Sequence, residues 1–224
     1  MDSKKKKCII LANGQAPAKS VFNYLFANGY EILICADGGA NSAARLGLTP
    51  DYVIGDLDSI NEKALKFYQK SSNTEVIQLK RQNDTDVEKA LKHAIKMKFK
   101  EVLLLGATGD RLDHTFCNLG IALKFDDKIK VKILHQKSVL AVYENEITLK
   151  TTPDEIISLY AISEETKITS QGLKYPLADS PLPFGKKEST SNVATGNEVH
   201  LKVVNGKIFV IREFNVLKKN GFFS

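Results

Sequence analysis

Tryptophan is absent from these 224 residues, and there are only two methionines, three cysteines and four histidines. Three is an odd number, and Cys8, Cys35 and Cys117 stand far apart, so no disulfide framework is expected. Cys-x-x-Cys and His-Glu-x-x-His are both missing, and the cysteines read as small buried side chains within apolar runs. No run of ~18 apolar residues exists, which leaves no candidate membrane helix. The apolar stretch 8–12 behind the basic start is too short for the core of a signal peptide, so a reducing, cytoplasmic location is expected. Glycine and proline are ordinary in number, which excludes collagen-like and low-complexity chains. An excess of one charge is also lacking. The formal charge is +6, of which Lys4 to Lys7 supply four units and Asp2 removes one, so the rest of the chain carries +3. That is weak support for nucleic-acid binding, which calls for basic groups clustered on one face; the lysine run reads as a solvated tail. With 43% apolar residues the chain is too hydrophobic to be disordered.

What is present falls into two rhythms. In the first part, short apolar runs (8–12, 31–36, 52–54, 76–79, 101–105 and 130–134) alternate with segments of helical character. Near-continuous apolar strands suit a parallel sheet covered on both faces. The clearest helix is expected over 86–98, with Val87, Ala90, Leu91, Ala94 and Ile95 on one face and a capping box starting at Thr85. This alternation predicts an α/β domain with a mostly parallel sheet flanked by helices, over 1–135. The remainder, 136–224, predicts an all-β sandwich. Runs 139–143 and 146–150 read as a hairpin, and Asn205-Gly206 between 199–203 and 207–213 reads as another. No amphipathic helix is evident after about residue 125.

Acids gather where strands end. Asp37 follows the second strand, Asp56 and Asp58 the third, Asp84 and Asp86 the fourth, Asp110 and Asp113 the fifth. In open α/β sheets this is the ligand-binding edge. Like charges so close need a counter-ion, and Mg²⁺ favours carboxylate and phosphate oxygens. In an extended segment Asp56 and Asp58, at i and i+2, point the same way and can share one ion with Asp86. Turn chemistry is the alternative, with Ser59 capping a helix at about 60–70. Asn13-Gly14, Gly38-Gly39, Gly106 and Gly109 end strands too, and glycine lets a phosphate approach the backbone. Neither Gly-x-x-x-x-Gly-Lys-Ser/Thr nor Gly-x-Gly-x-x-Gly occurs. Arg111 either neutralises neighbouring acids or binds a phosphate. His93 is expected on a helix's polar side, His135 at the domain junction and His200 facing outward; only His114 lies near the acids.

These motifs, in order, resemble the thiamine pyrophosphokinase family: Asp37-Gly-Gly-Ala-Asn41, Pro50-Asp-Tyr-Val-Ile-Gly-Asp-Leu-Asp-Ser59, Gln82-Asn-Asp-Thr-Asp86, Gly106-Ala-Thr-Gly-Asp-Arg-Leu-Asp-His114, Gly172-Leu-Lys-Tyr-Pro-Leu177 and Ser189-Thr-Ser-Asn192. The resemblance implies an α/β domain followed by a β-sandwich that binds thiamine and dimerises. It implies transfer of the terminal diphosphate of ATP to thiamine, in a homodimer with active sites between subunits. Asp56, Asp58 and Asp86 would hold Mg²⁺. Asn13, Gly14, Asp37, Gly38, Gly39, Asn41, Gly106 and Thr108 would face the nucleotide. Gln82, Asp84, Thr85, Arg111 and Asp113 would position substrates and charge, with Asp86 or Asp113 taking the hydroxyl proton. Ser189, Thr190, Ser191 and Asn192 would reach in from the β domain. In one respect the chain departs from the pattern. Some members stack the thiamine pyrimidine on a Trp after the Ser-Asn motif, and residues 193–196 here contain no aromatic.

On the acid pattern alone, a metal-dependent nucleotide hydrolase stands nearly level with a kinase. A non-catalytic ATP sensor and nucleic-acid binding through the tail are the further alternatives, the last requiring strongly salt-dependent affinity.

Overall fold

The computed structural model describes residues 6–80, 83–109 and 111–223. Gln82, Arg81, Asp110 and the first two lysines of the Lys4–Lys7 run lie outside the described residues. The chain divides into two compact units, Met1–Gln136 and Lys137–Ser224.

The first unit is a parallel sheet with strand order β6-β5-β1-β2-β3-β4. Its strands are β1 (Lys7–Leu11), β2 (Tyr30–Ala36), β3 (Tyr52–Gly55), β4 (Glu75–Gln78), β5 (Glu101–Leu105) and β6 (Lys130–His135). Between them run α1 (Lys19–Ala27), α2 (Gly39–Arg45), α3 (Glu62–Lys70), α4 (Asp86–Lys96) and α5 (Leu112–Phe125). Residues 8–11 and 102–105 are buried without alternation, as expected of strands covered on both faces. The chain builds outward from β1 to β4, then returns past β1 to form β5. Right-handed crossovers therefore set α1–α3 on one face and α4 and α5 on the other. The reversal makes β1/β5 the switch point, beyond whose carboxyl ends ligands bind in such sheets. Two of the helix starts carry side-chain caps. Thr85 and Glu88 form the expected capping box of α4. The cap of α3 is Asn61, whose side chain accepts from the Ala64 amide, and not Ser59. His93 is not on a polar face either. Its ring lies 4.5 Å from that of Tyr52, its Nε2 is buried without a partner, and burial holds its pKa below the usual range.

The second unit is an antiparallel sandwich. One sheet has the order β12-β9-β14-β7, with β7 (Ser138–Tyr143), β9 (Ile156–Ala161), β12 (Ser189–Val193) and β14 (Ile208–Glu213). The other has the order β11-β10-β13-β8, with β8 (Glu146–Lys150), β10 (Lys167–Gln171), β11 (Ser180–Pro181) and β13 (Glu198–Val204). Neither expected hairpin is one. Strand β7 pairs with β14, β8 pairs with β13, and β13 pairs with β8 and β10. At 144–145 and again at 205–207 the chain crosses from one sheet to the other. Crossing lets Val199, Leu201 and Val203 of β13 and Ile208 and Val210 of β14 enter one core, with Leu149, Ile157 and Leu159. Gly206 takes φ +152°, and a Cβ there would lie 2.1 Å from Thr166 Oγ1, so the turn is packed for this corner. A buried ion pair ties the sandwich: Arg212 donates from Nε to Glu155 Oε1 at 2.6 Å and from Nη2 to Oε2 at 2.9 Å. A short helix the sequence pattern missed, α6 (Phe214–Lys219), buries Phe214 and Leu217. Six residues are too few for a helical period to stand out.

Candidate active site

The loops after β1, β2, β3 and β5 and the starts of α4 and α5 enclose a cleft of about 270 Å³ in the first unit. It opens at the carboxyl ends of the strands, at the switch point. Its floor is built by close backbone packing. Gly14 N donates to Gly106 O at 2.7 Å and Gln15 N to Thr108 O at 3.1 Å, joining the β1 and β5 loops. A Cβ on Gly14 would stand 2.5 Å from Thr108 O, one on Gly39 2.0 Å from Leu11 O, and one on Gly106 2.6 Å from Ala12 O. The space these glycines leave is thus taken up by neighbouring backbone. A Cβ on Gly38 would strike the Asn13 carboxamide at 2.4 Å, which places Asn13 against the β2 loop.

The acids converge in an unexpected grouping. Oxygens of Asp37, Asp56 and Asp58 all lie within 4.8 Å of one another. Asp56 and Asp58 meet through a left-handed kink at Leu57 (φ +69°), not through an extended segment. Asp37 is itself left-handed (φ +41°), and only 2% exposed. Two non-glycine residues in this region concentrate backbone strain at one spot. Asp37 Oδ2 accepts from the Ser59 amide at 3.1 Å, while Oδ1 is buried without a partner. Burial, reinforced by the charges of Asp86 and Asp56, pushes the Asp37 carboxyl up to about 6. Asp58 is exposed, and a hydrogen bond from Ser59 Oγ at 2.9 Å holds it below the usual range. A buried carboxylate with one orphaned oxygen, close to two more carboxylates, is a donor set suited to a hard divalent cation.

Asp86 stands beside this trio but is engaged elsewhere. Its Oδ1 accepts from Lys89 Nζ at 2.8 Å, and Lys89 also lies 3.9 Å from Asp56 Oδ2. Burial alone would lower the Lys89 pKa. The bond to Asp86 and the charges of Asp86, Asp56 and Asp37 outweigh it and hold the ammonium above its ordinary value. Lys89 belongs to none of the motifs singled out above, although a lysine one turn after Asp86, next to buried Ala90, is a readable signal. Gly55 was passed over too. A Cβ there would lie 2.7 Å from Asp37 Cβ and 3.1 Å from Asp86 Oδ1, so only glycine lets the two acids close on each other.

Other expected residues have definite local partners. Asn41 donates to Ser59 O at 2.9 Å and accepts from Asn61, bracing the loop that carries Asp56 and Asp58. Asp84 accepts from Lys92 at 2.6 Å. Thr85 caps α4 while lining the cleft. Thr108 bonds His135 Nδ1 at 2.5 Å. Arg111 lines the cleft and grips Asp113 with two bonds, Nε–Oδ1 at 3.0 Å and Nη2–Oδ2 at 2.5 Å. That grip holds the Asp113 carboxyl well below the usual range. Cys117, expected to be buried, is exposed and lines the cleft one turn after His114; Cys8 and Cys35 are buried.

In the second unit Ser189, Thr190 and Asn192 line a separate groove with Tyr175, Leu182 and Lys187. Asn192 is 2% exposed and fully bonded: it donates to Tyr175 O at 2.8 Å and Ser189 Oγ at 3.0 Å, and accepts from the Tyr175 and Val193 amides. Thr190 Oγ1 pairs with Tyr160 OH at 3.0 Å. Ser191 is left-handed (φ +55°), its amide donating to Ser158 Oγ.

Comparison with known proteins settles the family. Residues 24–134 match the model of the thiamin pyrophosphokinase catalytic domain, and residues 144–208 match that family's vitamin B1 binding domain. Thiamin pyrophosphokinase 1 of Caenorhabditis elegans is 30% identical, over 97% of this chain and 93% of its own. The chain belongs to the thiamin pyrophosphokinase family. It is thus related to diphosphotransferase enzymes, as the ordered motifs implied. Solved thiamin pyrophosphokinases share its fold. That of Bacillus subtilis superposes with a TM-score of 0.80 at 24% identity, covering 93% of this chain and 99% of that one. That of Geobacillus thermodenitrificans gives 0.77 at 27%, covering 92% and 97%. The α/β unit followed by a β-sandwich is therefore the family architecture. Among the described residues no helix is long and apolar enough to cross a membrane.

Proposed function

We propose that the protein transfers the diphosphate of ATP to thiamine, giving AMP and thiamine diphosphate, with Mg²⁺ as its cofactor. The observation that carries this reading is the buried Asp37, whose Oδ1 lacks a partner and whose carboxylate lies close to those of Asp56 and Asp58 beside the switch-point cleft. These three carboxylates would hold the ion. When bound, it supplies positive charge that polarises phosphoryl oxygens.

The chain's own residues do the rest by positioning and charge, which is what phosphoryl transfer requires of a protein. The linked β1 and β5 loops give a rigid wall for the nucleotide. Arg111, on the cleft wall, supplies a guanidinium for charge on the transferred group, with Asp113 orienting it. Bound to that guanidinium, Asp113 is a weak base. Asp86 lines the cleft and is the better placed of the two acids to accept the hydroxyl proton of thiamine. In the sandwich, the groove at Tyr175, Ser189 and Thr190 offers an aromatic face and hydroxyls for the acceptor; Tyr175 is 61% exposed. Lys174 Nζ already sits 5.8 Å from the centre of that ring, so the face accommodates a cation, the charge type of a thiazolium. We further infer a cytoplasmic homodimer, supported by large exposed apolar groups in the sandwich, Ile156 and Phe184, at 57% and 64%.

The test is a product assay with Mg²⁺-ATP, with and without thiamine, on the wild type and Asp58→Asn. AMP and thiamine diphosphate appearing together, only with thiamine, and both lost in the variant, is the expected result. ATP consumed without thiamine would turn the reading into a hydrolase; ATP bound and never consumed would make it a sensor.

A further inference from the structure

We infer that His135 takes up the hydroxyl proton of Thr108 in a hydrogen bond and so fixes that hydroxyl as an acceptor in the cleft. There it selects a hydrogen-bond donor of the nucleotide, a ribose hydroxyl or the exocyclic amine of the base. This rests on the nucleotide reading above and deepens it.

The sheet itself builds this pair. Strands β5 and β6 run with Leu105 opposite Leu134, so His135 leaves the sheet beside Gly106, where the β5 loop begins. Thr108, further along that loop, lines the cleft, and its Oγ1 lies 2.5 Å from His135 Nδ1. His135 stands behind it, outside the cleft lining. Thr108 O accepts from the Gln15 amide at 3.1 Å. Gln136, left-handed at φ +51°, donates from Nε2 to Gln15 Oε1 at 3.4 Å. The loops after β1, β5 and β6 are thus tied to one another around Thr108.

A threonine hydroxyl has one proton and two lone pairs, and a neutral imidazole has one nitrogen that donates and one that accepts. The direction of the bond therefore decides what Thr108 shows the cleft. An imidazole nitrogen is a much stronger base than an alcohol oxygen, so the pair settles as O–H···N. The same polarity holds in the serine–histidine pairs that activate a nucleophile. With its proton committed to Nδ1, the hydroxyl has only lone pairs left for the cleft. Phosphate oxygens are acceptors too and gain nothing from it. The donors of an adenine nucleotide are its ribose hydroxyls and the amine of the base. A site built to hydrogen-bond such a group rejects analogues that lack it. His135 acts only through Thr108, as a positioning residue that sets the polarity of the hydroxyl.

The test titrates full-length protein calorimetrically with AMP, which carries these donors and is not consumed. Beside it run 2′-deoxy-AMP, 3′-deoxy-AMP and purine riboside monophosphate, which lacks the amine. The wild type should bind one of the three analogues about fivefold more weakly than AMP, the worth of one hydrogen bond, and that analogue identifies the donor. Thr108→Val should bind AMP and that analogue equally. His135→Asp, an acceptor only, should keep the wild-type preference. His135→Lys, a donor only, should abolish it, because Thr108 then accepts from the ammonium and turns its own proton outward. A spectroscopic arm covers the case in which the Lys variant does not fold. In protein labelled with nitrogen-15 histidine, at a pH where the ring is neutral, His135 Nδ1 should show the shift of an unprotonated ring nitrogen. The signal missing from His135→Asp assigns it. A protonated Nδ1, analogues bound by the wild type as tightly as AMP, or a preference that survives in Thr108→Val overturns the inference. A preference kept or lost alike in the Asp and Lys variants overturns the role given to His135. Wild-type protein that binds neither AMP nor ATP overturns the nucleotide reading itself.

Discussion

The two units treat their buried polar groups in opposite ways. In the sandwich they are satisfied. Asn192 uses both donors and its acceptor within the fold, and Arg212 is matched to Glu155 by two hydrogen bonds. At the acid edge of the parallel sheet the accounts stay open. Asp37 Oδ1 is buried without a partner, and two non-glycine residues here are left-handed, Asp37 itself and Leu57 between Asp56 and Asp58. A saturated network rigidifies a scaffold, whereas an unsatisfied one held by its surroundings is ready for something from outside. Strand-end acids in the first unit are therefore read as ligand groups, and Asn192 as a clamp positioning its neighbours Ser189 and Tyr175.

This contrast is open to experiment. Asp58→Asn should cut product formation roughly a thousandfold or more, by removing part of the charge that holds the cation, while thermal unfolding barely moves, since Asp58 is exposed. Glu155→Ala should do the reverse, costing about 3–5 kcal/mol in denaturant unfolding because it strands a buried guanidinium. A next comparison concerns pH. An ordinary aspartate titrates near ~3.9 in the unfolded chain, and Asp37 near about 6 in the folded one. The folded state holds this proton more tightly, so the stability linked to it is full at low pH and lost as pH rises through 6. A cation must displace that proton. The rise in melting temperature on adding Mg²⁺ should accordingly be small at pH 5 and grow to a plateau above about 7. A rise independent of pH would remove Asp37 from the donor set. The smallest effect is expected of Thr85→Ala, about 1 kcal/mol from loss of the α4 cap, seen as a lower denaturation midpoint, with a modest loss of activity through the start of α4.

How much of this was legible depended on the range of the interaction. The parallel unit followed from runs of apolar residues, because strands buried on both faces declare themselves locally. The capping box at Thr85 is likewise a four-residue affair. The sandwich strands were legible, but their pairing was not. Asn205-Gly206 has the dipeptide of a tight hairpin, yet β13 and β14 gain more by sharing a core from opposite sheets, a long-range preference that outweighs turn chemistry. The acids could be located by strand ends, but their grouping depended on Leu57 being left-handed and on the gap at Gly55, neither of which a spacing rule conveys. Cys117 was misjudged because α5 shows apolar character around it; in the structure its amino-terminal half borders the cleft, with Leu112 and Phe116 exposed at 67% and 59%.

That last placement has a practical consequence. Burial pushes the Cys8 and Cys35 thiols far above the usual range, leaving Cys117 as the accessible one. The protein thus carries a built-in attachment point for a single dye on the wall of its own cleft. A fluorophore placed there, with no engineered cysteine, would let occupancy of the cleft be watched in real time.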